Sequence, residues 1–468
     1  MWPATGGKGL DLGQGEGGIS MKQKRKNGQL EDKKPGPEPL MELTVDRLAW
    51  GGRGVGRHGG KVVFVSKTAP GDRISVALTK TRKTFSEGRI ATLLEPSPDR
   101  VEVGCPWFDR CGGCQWLAVD YRRQVREKDG MLRHALRRHL DRASVEAFVP
   151  GDPSLGYRHR GDFHGFETPE GLRLGFYEEA SHRLVEVSDC LLFGSAFNAL
   201  LQRVRRALAG EPAAALLQRL TLAGSEGREG AQIAHARLHA GAEIQDAKAL
   251  IRNLEEVALE GALVTSGAGV LASEGNTSLR FGVPGYLGDL NLRASVRSFT
   301  QAHFAMNRRL VETATAWLTL GAGERVLDLY SGVGNFTLPL SQRCHEVVAV
   351  EGSPTACADA RANAETLGAA GIRHMGGDAV AETARLAEAG ERFDAVLLDP
   401  PRAGAKEVLP FLAKLRPARI LYVSCNLPCL ERDLNLMGTL GYHLSRVQGF
   451  DCFPQTYGVE TLCLLQPS

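Results

Sequence analysis

The chain has no apolar run long enough to cross a bilayer, which excludes a membrane-spanning helix and points to a soluble, cytoplasmic protein. Its first 40 residues carry few large apolar side chains and lack the apolar centre of a signal peptide. Rich in Gly and Lys, they are expected to form a disordered tail, with Met21 and Met41 as alternative starts. Charge of one sign is scarce as well. The 57 basic and 54 acidic side chains leave a net +3, too little by itself to mark a nucleic-acid binder. Cysteine is not scarce: ten in a chain without a signal peptide argue for metal or catalysis over disulfides. A length of 468 residues calls for two or three domains and a large core.

The sharpest pattern begins at Val326-Leu-Asp-Leu-Tyr-Ser-Gly-Val-Gly-Asn-Phe-Thr337. The apolar run to Tyr330 reads as a buried parallel strand. Gly332 and Gly334 allow a tight turn and close approach of a ligand, and a helix opening at Asn335 turns its free N–H groups to the same crevice. Glu351 ends the next apolar run, where a carboxylate can accept from ribose hydroxyls. Asp378 follows the third strand and fits a contact to adenine. Two further apolar runs end at Asp399, before Pro400-Pro-Arg402, and at Cys425, before Asn426. In a doubly wound α/β sheet, ligands and reactive groups collect at such carboxyl ends.

Upstream, residues 41–94 are Val- and Thr-rich with turns at Gly51-Gly52, Gly59-Gly60 and Pro70-Gly71, which predicts a small five-stranded, OB-like β-barrel. Ten basic against four acidic side chains make it a platform for RNA backbone, or a barrel with a solvated basic face. Gly52 to Gly56 is no dinucleotide fingerprint, lacking a strand-then-helix context. Cys105, Cys111 and Cys114 can point at one centre, with Cys190 as the best fourth ligand. Spacing leaves an iron–sulfur cluster and tetrahedral zinc both open. Residues 95–290 read as a central α/β block. Within it an Arg-rich helix spans 121–142, strands lie near 157–162 and 174–177, and helices cover 195–209, capped by Ser195, and 242–258.

These pieces together resemble a known family, the S-adenosylmethionine-dependent RNA 5-methyluridine methyltransferases. The matching stretches are Ser298-Phe-Thr-Gln301, DLYSGVGNFTLPL, AVEGS, LLDPPRAG, VSCN and Gly458-Val-Glu-Thr461, over nearly everything from position 41 onward. The resemblance implies a TRAM domain at 41–94, a [4Fe-4S] cluster on Cys105, Cys111, Cys114 and Cys190, and a class I methyltransferase domain at 291–468 closed by an antiparallel hairpin. It makes Gln301, Tyr330, Asn335, Glu351, Asp378 and Asp399 the binding shell of S-adenosylmethionine, with Asp399 bridging to the base. It places Cys425 and Glu460 in catalysis. The chain is expected to act as a monomer on structured RNA, ribosomal in preference to transfer RNA because barrel and cysteine set occur together.

The chemistry demands such a pair. Uracil C5 attacks a sulfonium methyl only after a thiolate adds to C6, and a base must then remove the C5 proton. Cys425, at a strand end before a helix near 427–437, is expected to have a lowered thiol pKa. Two departures stand out. The family's Asn two positions after Gln301 is His303 here, which is left out of the site. Its His-Thr-x-His-x-Glu run is Gln455-Thr-Tyr-Gly-Val-Glu460, without either histidine. Amino-group methyltransferases need no strand-end cysteine and carry an aromatic residue at the position of Arg402. RNA 5-methylcytosine enzymes place a cysteine there. A non-catalytic RNA-binding protein would not keep Cys425, Asp399 and Glu460 together.

Overall fold

Glycine pairs cut the first part of the described chain into six short strands. The computed structural model describes residues 40–168, 171–227, 232–267 and 269–468, so the expected tail lies, up to residue 39, outside it. The strands are β1 (Leu40–Thr44), β2 (Arg47–Leu48), β3 (Gly54–His58), β4 (Lys61–Val65), β5 (Arg73–Thr81) and β6 (Phe85–Glu95), ordered β1-β5-β6-β4-β3-β2. The expected five become six because Arg47–Leu48 pairs on its own with β3. The sheet curls shut where Gly56 meets β1: a Cβ there would lie 2.3 Å from the Thr44 carbonyl oxygen. Only glycine permits that approach.

Helix α1 (Tyr121–Leu136) stops short of the expected 142, and a separate 3-10 turn covers Leu140–Arg142. Its apolar stripe, Leu132 and Leu136, enters a core built mainly by the last third of the chain. The following β7 (Ser144–Val145) likewise pairs with a strand of the final sheet. The central block is therefore shared between two bodies. Its own sheet has seven strands in the order β10-β9-β8-β11-β12-β13-β14. These are β8 (Arg160–Thr168), β9 (Gly171–Tyr177), β10 (Leu184–Glu186), β11 (Leu217–Ala223), β12 (Ile233–Leu238), β13 (Gly261–Ser266) and β14 (Gly269–Gly275). Alternate residues, among them Phe163, Leu220, Leu222, Ala234 and Val264, pack under α2 (Ser195–Leu208) and α3 (Ile244–Glu255). Ser195 is not the cap of α2. Gly194 holds that position, without a side-chain bond, and Ser195 is the first helical residue. Helix α3 starts two residues later than expected because Glu243 and Asp246 form a capping box.

A hairpin, β15 (Ser278–Gly285) and β16 (Gly288–Ser295), leads to α4 (Phe304–Leu318) and the final sheet. There follow β17 (Arg325–Leu329), α5 (Thr337–Ser341), β18 (Glu346–Glu351), α6 (Pro354–Thr366), β19 (Ile372–Gly376), α7 (Ala379–Glu388), β20 (Ala395–Leu398), α8 (Leu409–Leu415), β21 (Arg419–Ser424), α9 (Leu427–Thr439), β22 (Tyr442–Phe450) and β23 (Glu460–Pro467). The eight strands order as β19-β18-β17-β20-β21-β23-β22-β7, the first five parallel and β23 antiparallel to both neighbours. Helices cover both faces, so β17, β20 and β21 are buried almost throughout, as their unbroken apolar runs predict. Each buried Val or Leu contributes roughly 1.5–3 kcal/mol, which lets the sheet carry buried carboxylates along one edge. No helix among the described residues is long and apolar enough to cross a membrane.

Candidate active site

Strand order alone lines up most of the expected site. Along the carboxyl edge of the parallel strands, read across the sheet, come Asp378 after β19, Glu351 at the end of β18, the Gly loop after β17, Asp399 after β20 and Cys425 after β21. Because β23 runs the other way, its first residue, Glu460, joins the same edge. Ser424 pairs with Thr461, so one further step along each strand sets Cys425 beside Glu460. Asp399 stands between a ligand-cradling half and a reactive half.

The cradling half is preorganised. Strand β17 ends at Leu329, and Tyr330 turns out of it with φ +61°, a left-handed conformation that strains a bulky side chain. Gly332 and Gly334 continue at φ +57° and +94°. Helix α5 opens only at Thr337, so Asn335 lies in the loop and not at the expected helix start. Its amide exchanges two hydrogen bonds with the amide of buried Asn307 in α4, at 2.8 and 3.0 Å. Gln301, half-buried, sits in the turn entering that clamped helix. Glu351 accepts from the N–H of Gly332 at 2.9 Å and of Ser353 at 2.7 Å, tying the loop to the end of β18. Asp378 caps α7, one oxygen accepting from Val380 and Ala381, which leaves the other for a ligand. His303 is buried, stacked 4.7 Å from Tyr157 and bonded to the Pro153 carbonyl, a packing role.

The reactive half is acidic and largely buried. Glu460 is buried and its Oε1 has no hydrogen-bond partner among the described residues. Burial first, then Asp399, push its carboxyl well above the usual range, against the pull of Arg402. Burial raises Asp399 to about 7. The Cys425 thiol is pushed up to about 12 by burial, then by Glu460 and Asp399, with Arg402 opposing. This overturns the expectation of a lowered thiol pKa. Asn426 caps the first turn of α9 by accepting from the Cys429 N–H, and burial together with the charges of Glu460 and Asp399 outweighs the helix start beside the thiol. The same burial that favours the protonated thiol also raises the two carboxyls beside it, so the three groups compete for protons.

Several residues of the site escaped the sequence reading. Asp328, fully buried in β17, accepts from Thr337 Oγ1 at 2.5 Å while its other oxygen has no partner among the described residues. Burial, then Asp399 and Glu351, raise it to about 7. Asp433, fully buried in α9, accepts from the Ala405 N–H and the Tyr422 hydroxyl and holds the loop from Pro400 to Gly404. Arg432 bonds the Ala403 carbonyl and Asn426 the Arg402 carbonyl, bracing the same loop. The signals existed: Asp328 is the one charge in an apolar strand run, and Asp433 and Asn307 fall on the apolar faces of their helices.

The loop before Glu460 is anchored from far away. Gln455, at φ +69°, exchanges hydrogen bonds with the Gln124 amide, and its carbonyl accepts from the Gln115 and Trp116 N–H groups. Lys128 and Asp451, both fully buried, pair at 2.6 Å, and Tyr121 donates to the same carboxylate.

Cys105, Cys111, Cys114 and Cys190 share one neighbourhood. Cys114 feels the charges of the other three, Cys190 those of Cys111 and Cys105, and the cations nearby are Lys67 and Arg158. Burial raises all four thiols. An all-thiol donor set beside two cations suits a thiolate-ligated centre of negative charge. It is not a finished cage, for among the described residues no three His, Cys, Asp or Glu side chains are placed to hold a metal ion. The barrel's excess charge is partly spent internally, Arg53 pairing with Glu87, Arg73 with Glu42 and Glu95, and Arg100 outside it with Asp72.

A doubly wound sheet with a Gly loop, an acid closing the second strand and reactive groups along one carboxyl edge is the class I methyltransferase arrangement. The family model described as tRNA (Uracil-5-)-methyltransferase matches residues 120–468, and the TRAM domain model matches 40–91. The chain belongs to the tRNA (uracil-5-)-methyltransferase family. It is 33% identical to a 23S rRNA (uracil(1939)-C(5))-methyltransferase RlmD of Pectobacterium atrosepticum, over 94% of this chain and 96% of that one. It is 35% identical to the protein of that name from Shewanella amazonensis, over 91% and 95%. In fold it is similar to the crystal structure of Pyrococcus abyssi tRNA (uracil-54, C5)-methyltransferase in complex with S-adenosyl-L-homocysteine. The TM-score is 0.71 at 23% identity, covering 91% of this chain and 99% of that one.

Proposed function

We propose that this protein methylates C5 of one uridine in structured ribosomal RNA by covalent catalysis from Cys425. The observation that carries the reading is the strand register that sets Cys425 beside Glu460, with Asp399 next along the edge. S-adenosylmethionine, bound by Gln301, Tyr330, Asn335, Glu351, Asp378 and Asp399, supplies a methyl group on a positively charged sulfur. Cys425 Sγ bonds to C6 of the uracil, its proton passing to the Asp399 carboxylate and the ring electrons moving toward O4, so that Glu460 stays free for the later proton. Asp399, between the two halves, orients the base so that C5 faces the methyl group. After transfer, Glu460 takes the C5 proton, the double bond re-forms, and the C6–Sγ bond breaks. A raised carboxyl is, once ionised, the stronger base for this proton, and it returns the proton to solvent afterwards. The Asp433-braced loop keeps Asp399 in place throughout.

Ribosomal RNA is favoured by the names of the relatives that match end to end, and by the barrel and cysteine set standing together. The barrel at 41–94 is assigned to RNA backbone, and a looped-out uridine costs less to present than a paired one. Cys105, Cys111, Cys114 and Cys190 are assigned to a [4Fe-4S] cluster, supported by their convergence and by the absence of any other ligand type among them. Such a centre would pin the loop at 105–114 to the segment around Cys190. One chain carries every group named, so the working unit is assigned as a monomer, and its ribosomal RNA substrate assigns it to the cytoplasm. The test is a map of 5-methyluridine in total RNA from cells with the gene, without it, and with Cys425→Ala in its place. Loss of one ribosomal site in both altered strains is expected. Loss confined to transfer RNA, or full modification by the alanine variant, would refute the reading.

A further inference from the structure

Among the described residues, helices α2 and α3 pack on one face of the central sheet. Strand alternation sends Phe163, Leu220, Ala234 and Val264 toward α2 and α3, so their neighbours in sequence point the other way. On that second face, cross-strand pairing aligns His164 with Arg219, Arg219 with Arg237, and Thr221 with Asp162 and His235. At the β17-proximal end the face is covered, for Ala223, Ile233 and Leu263 pack with the hairpin residues Leu279 and Phe281. Toward the other end no apolar cover follows among the described residues, and Arg219, Arg237, His164 and Tyr177 stay half-exposed.

The uncovered part is strongly one-signed. Arg160, Arg219 and Arg237 lie within each other's fields, and Arg297 joins them around His235. Asp162 answers Arg160 at 3.8 Å and accepts from Thr221 Oγ1 at 2.5 Å. Arg219, Arg237 and Arg297 make no ion pair among the described residues. Arginines left unpaired side by side repel one another unless a polyanion arrives. Aromatic rings flank them: His164 lies 4.1 Å from Tyr177 between ring centres.

The place of this face in the molecule names its partner. At one side, the Tyr177 carbonyl accepts from Gly112, inside the cysteine loop. At the other, Arg160 donates to the Ser298 carbonyl at 3.0 Å, next to the turn that carries Gln301. The arginines therefore form a track from the cysteine loop to the entrance of the methyl-transfer site.

We propose that this open face, through Arg219, Arg237 and Arg297 with Tyr177 and His164 as stacking surfaces and the largely buried Arg160 behind them, is an RNA-docking surface separate from the barrel, gripping backbone phosphates beside the target loop. The proposal rests on the RNA reading above. Guanidinium forks match phosphate oxygens, and a sheet bearing aromatics can stack unpaired bases.

The test measures binding of a fluorescein-labelled RNA hairpin with a uridine-containing loop by the full chain, as a function of salt. Each phosphate contact contributes about 0.7 to the slope of log affinity against log salt for single-stranded RNA. Arg219→Gln with Arg237→Gln should lower that slope by about 1.4, which is roughly a 25-fold loss at about 0.1 M salt. Binding of S-adenosylhomocysteine should not change, and Arg219→Lys with Arg237→Lys should keep the slope. Arg297→Gln, in an exposed turn, serves where the double variant fails to fold and should remove about 0.7. An unchanged slope in variants that still fold overturns the docking surface while the RNA reading stands. A wild-type chain that does not bind the hairpin overturns both.

Discussion

The two sulfur sites of this molecule are built in opposite ways. Cys425 and Glu460 arrive on adjacent strands, and the pairing of Ser424 with Thr461 leaves them one arrangement. The thiols at 105, 111, 114 and 190 arrive on loops, held by a few contacts such as the Gly112 N–H to the Tyr177 carbonyl and the Asn198 amide around Cys190. The first set takes its arrangement from the strand ladder, and among the described residues no three side chains of the second are placed to hold a metal ion. A strand-borne site gets its geometry from the backbone ladder; a loop-borne one must get it from what it binds.

Breaking the strand-borne pair should give the largest effect. Glu460→Gln keeps the shape and removes the base, so turnover should fall by about 10²–10⁴-fold. The methylated adduct should accumulate as a slow-migrating protein–RNA band. Normal turnover by this variant would take Glu460 out of the base role. Breaking the loop-borne set should act on structure more than on chemistry. Anaerobically purified protein should hold about four iron atoms per chain with labile sulfide. Cys114→Ser should lose the iron and lower Tm by roughly 2 °C, which at this size is about 2 kcal/mol. Stoichiometric zinc without sulfide would replace the cluster by a structural zinc.

The smallest effect probes what the backbone ladder tolerates. Asp328 is raised from 3.8 to about 7 in the fold, so the folded chain holds that proton more tightly than the unfolded one. The stability this confers is complete below the unfolded value and is lost as pH rises through about 7. Asp328→Asn has no such loss. Its Tm advantage over wild type should widen between about pH 5 and pH 8, by at most roughly 2–3 kcal/mol at about 1.4 kcal/mol per pH unit. An advantage that stays flat with pH would mean Asp328 does not titrate in that window.

The parallel strands and their order of chemistry were legible because each apolar run ends at a glycine, acid or cysteine, with Asp328 the one charge inside the run of β17. Glu351, Asp399 and Cys425 could be placed on one edge from that pattern alone. Their partnership with Glu460 could not, since it depends on the direction of the last strand. Nor could the sharing of the central block: α1 is amphipathic wherever it packs, and periodicity does not say against which sheet. The sign of the Cys425 shift was misread because a helix start is visible in sequence, whereas Glu460 and Asp399 come near the thiol only in space. Asp433 escaped for a related reason, as a charge on a helix face reads as solvated until Tyr422 and Ala405 are seen to close over it.

The buried pair of Lys128 and Asp451 constrains the timetable of synthesis. The two residues are 323 positions apart, and Lys128 has no access to solvent in the finished fold. A ribosome delivers α1 long before it delivers the loop that neutralises it. Until then, docking α1 would strand an ammonium group in an apolar layer, at a penalty of several kcal/mol. The helix must wait, exposed, while the seven-stranded sheet can complete itself behind it. The barrel, the cysteine loop and the catalytic edge then lock together only when the final hairpin leaves the exit tunnel, so a nascent chain cannot present an assembled active site before it is whole.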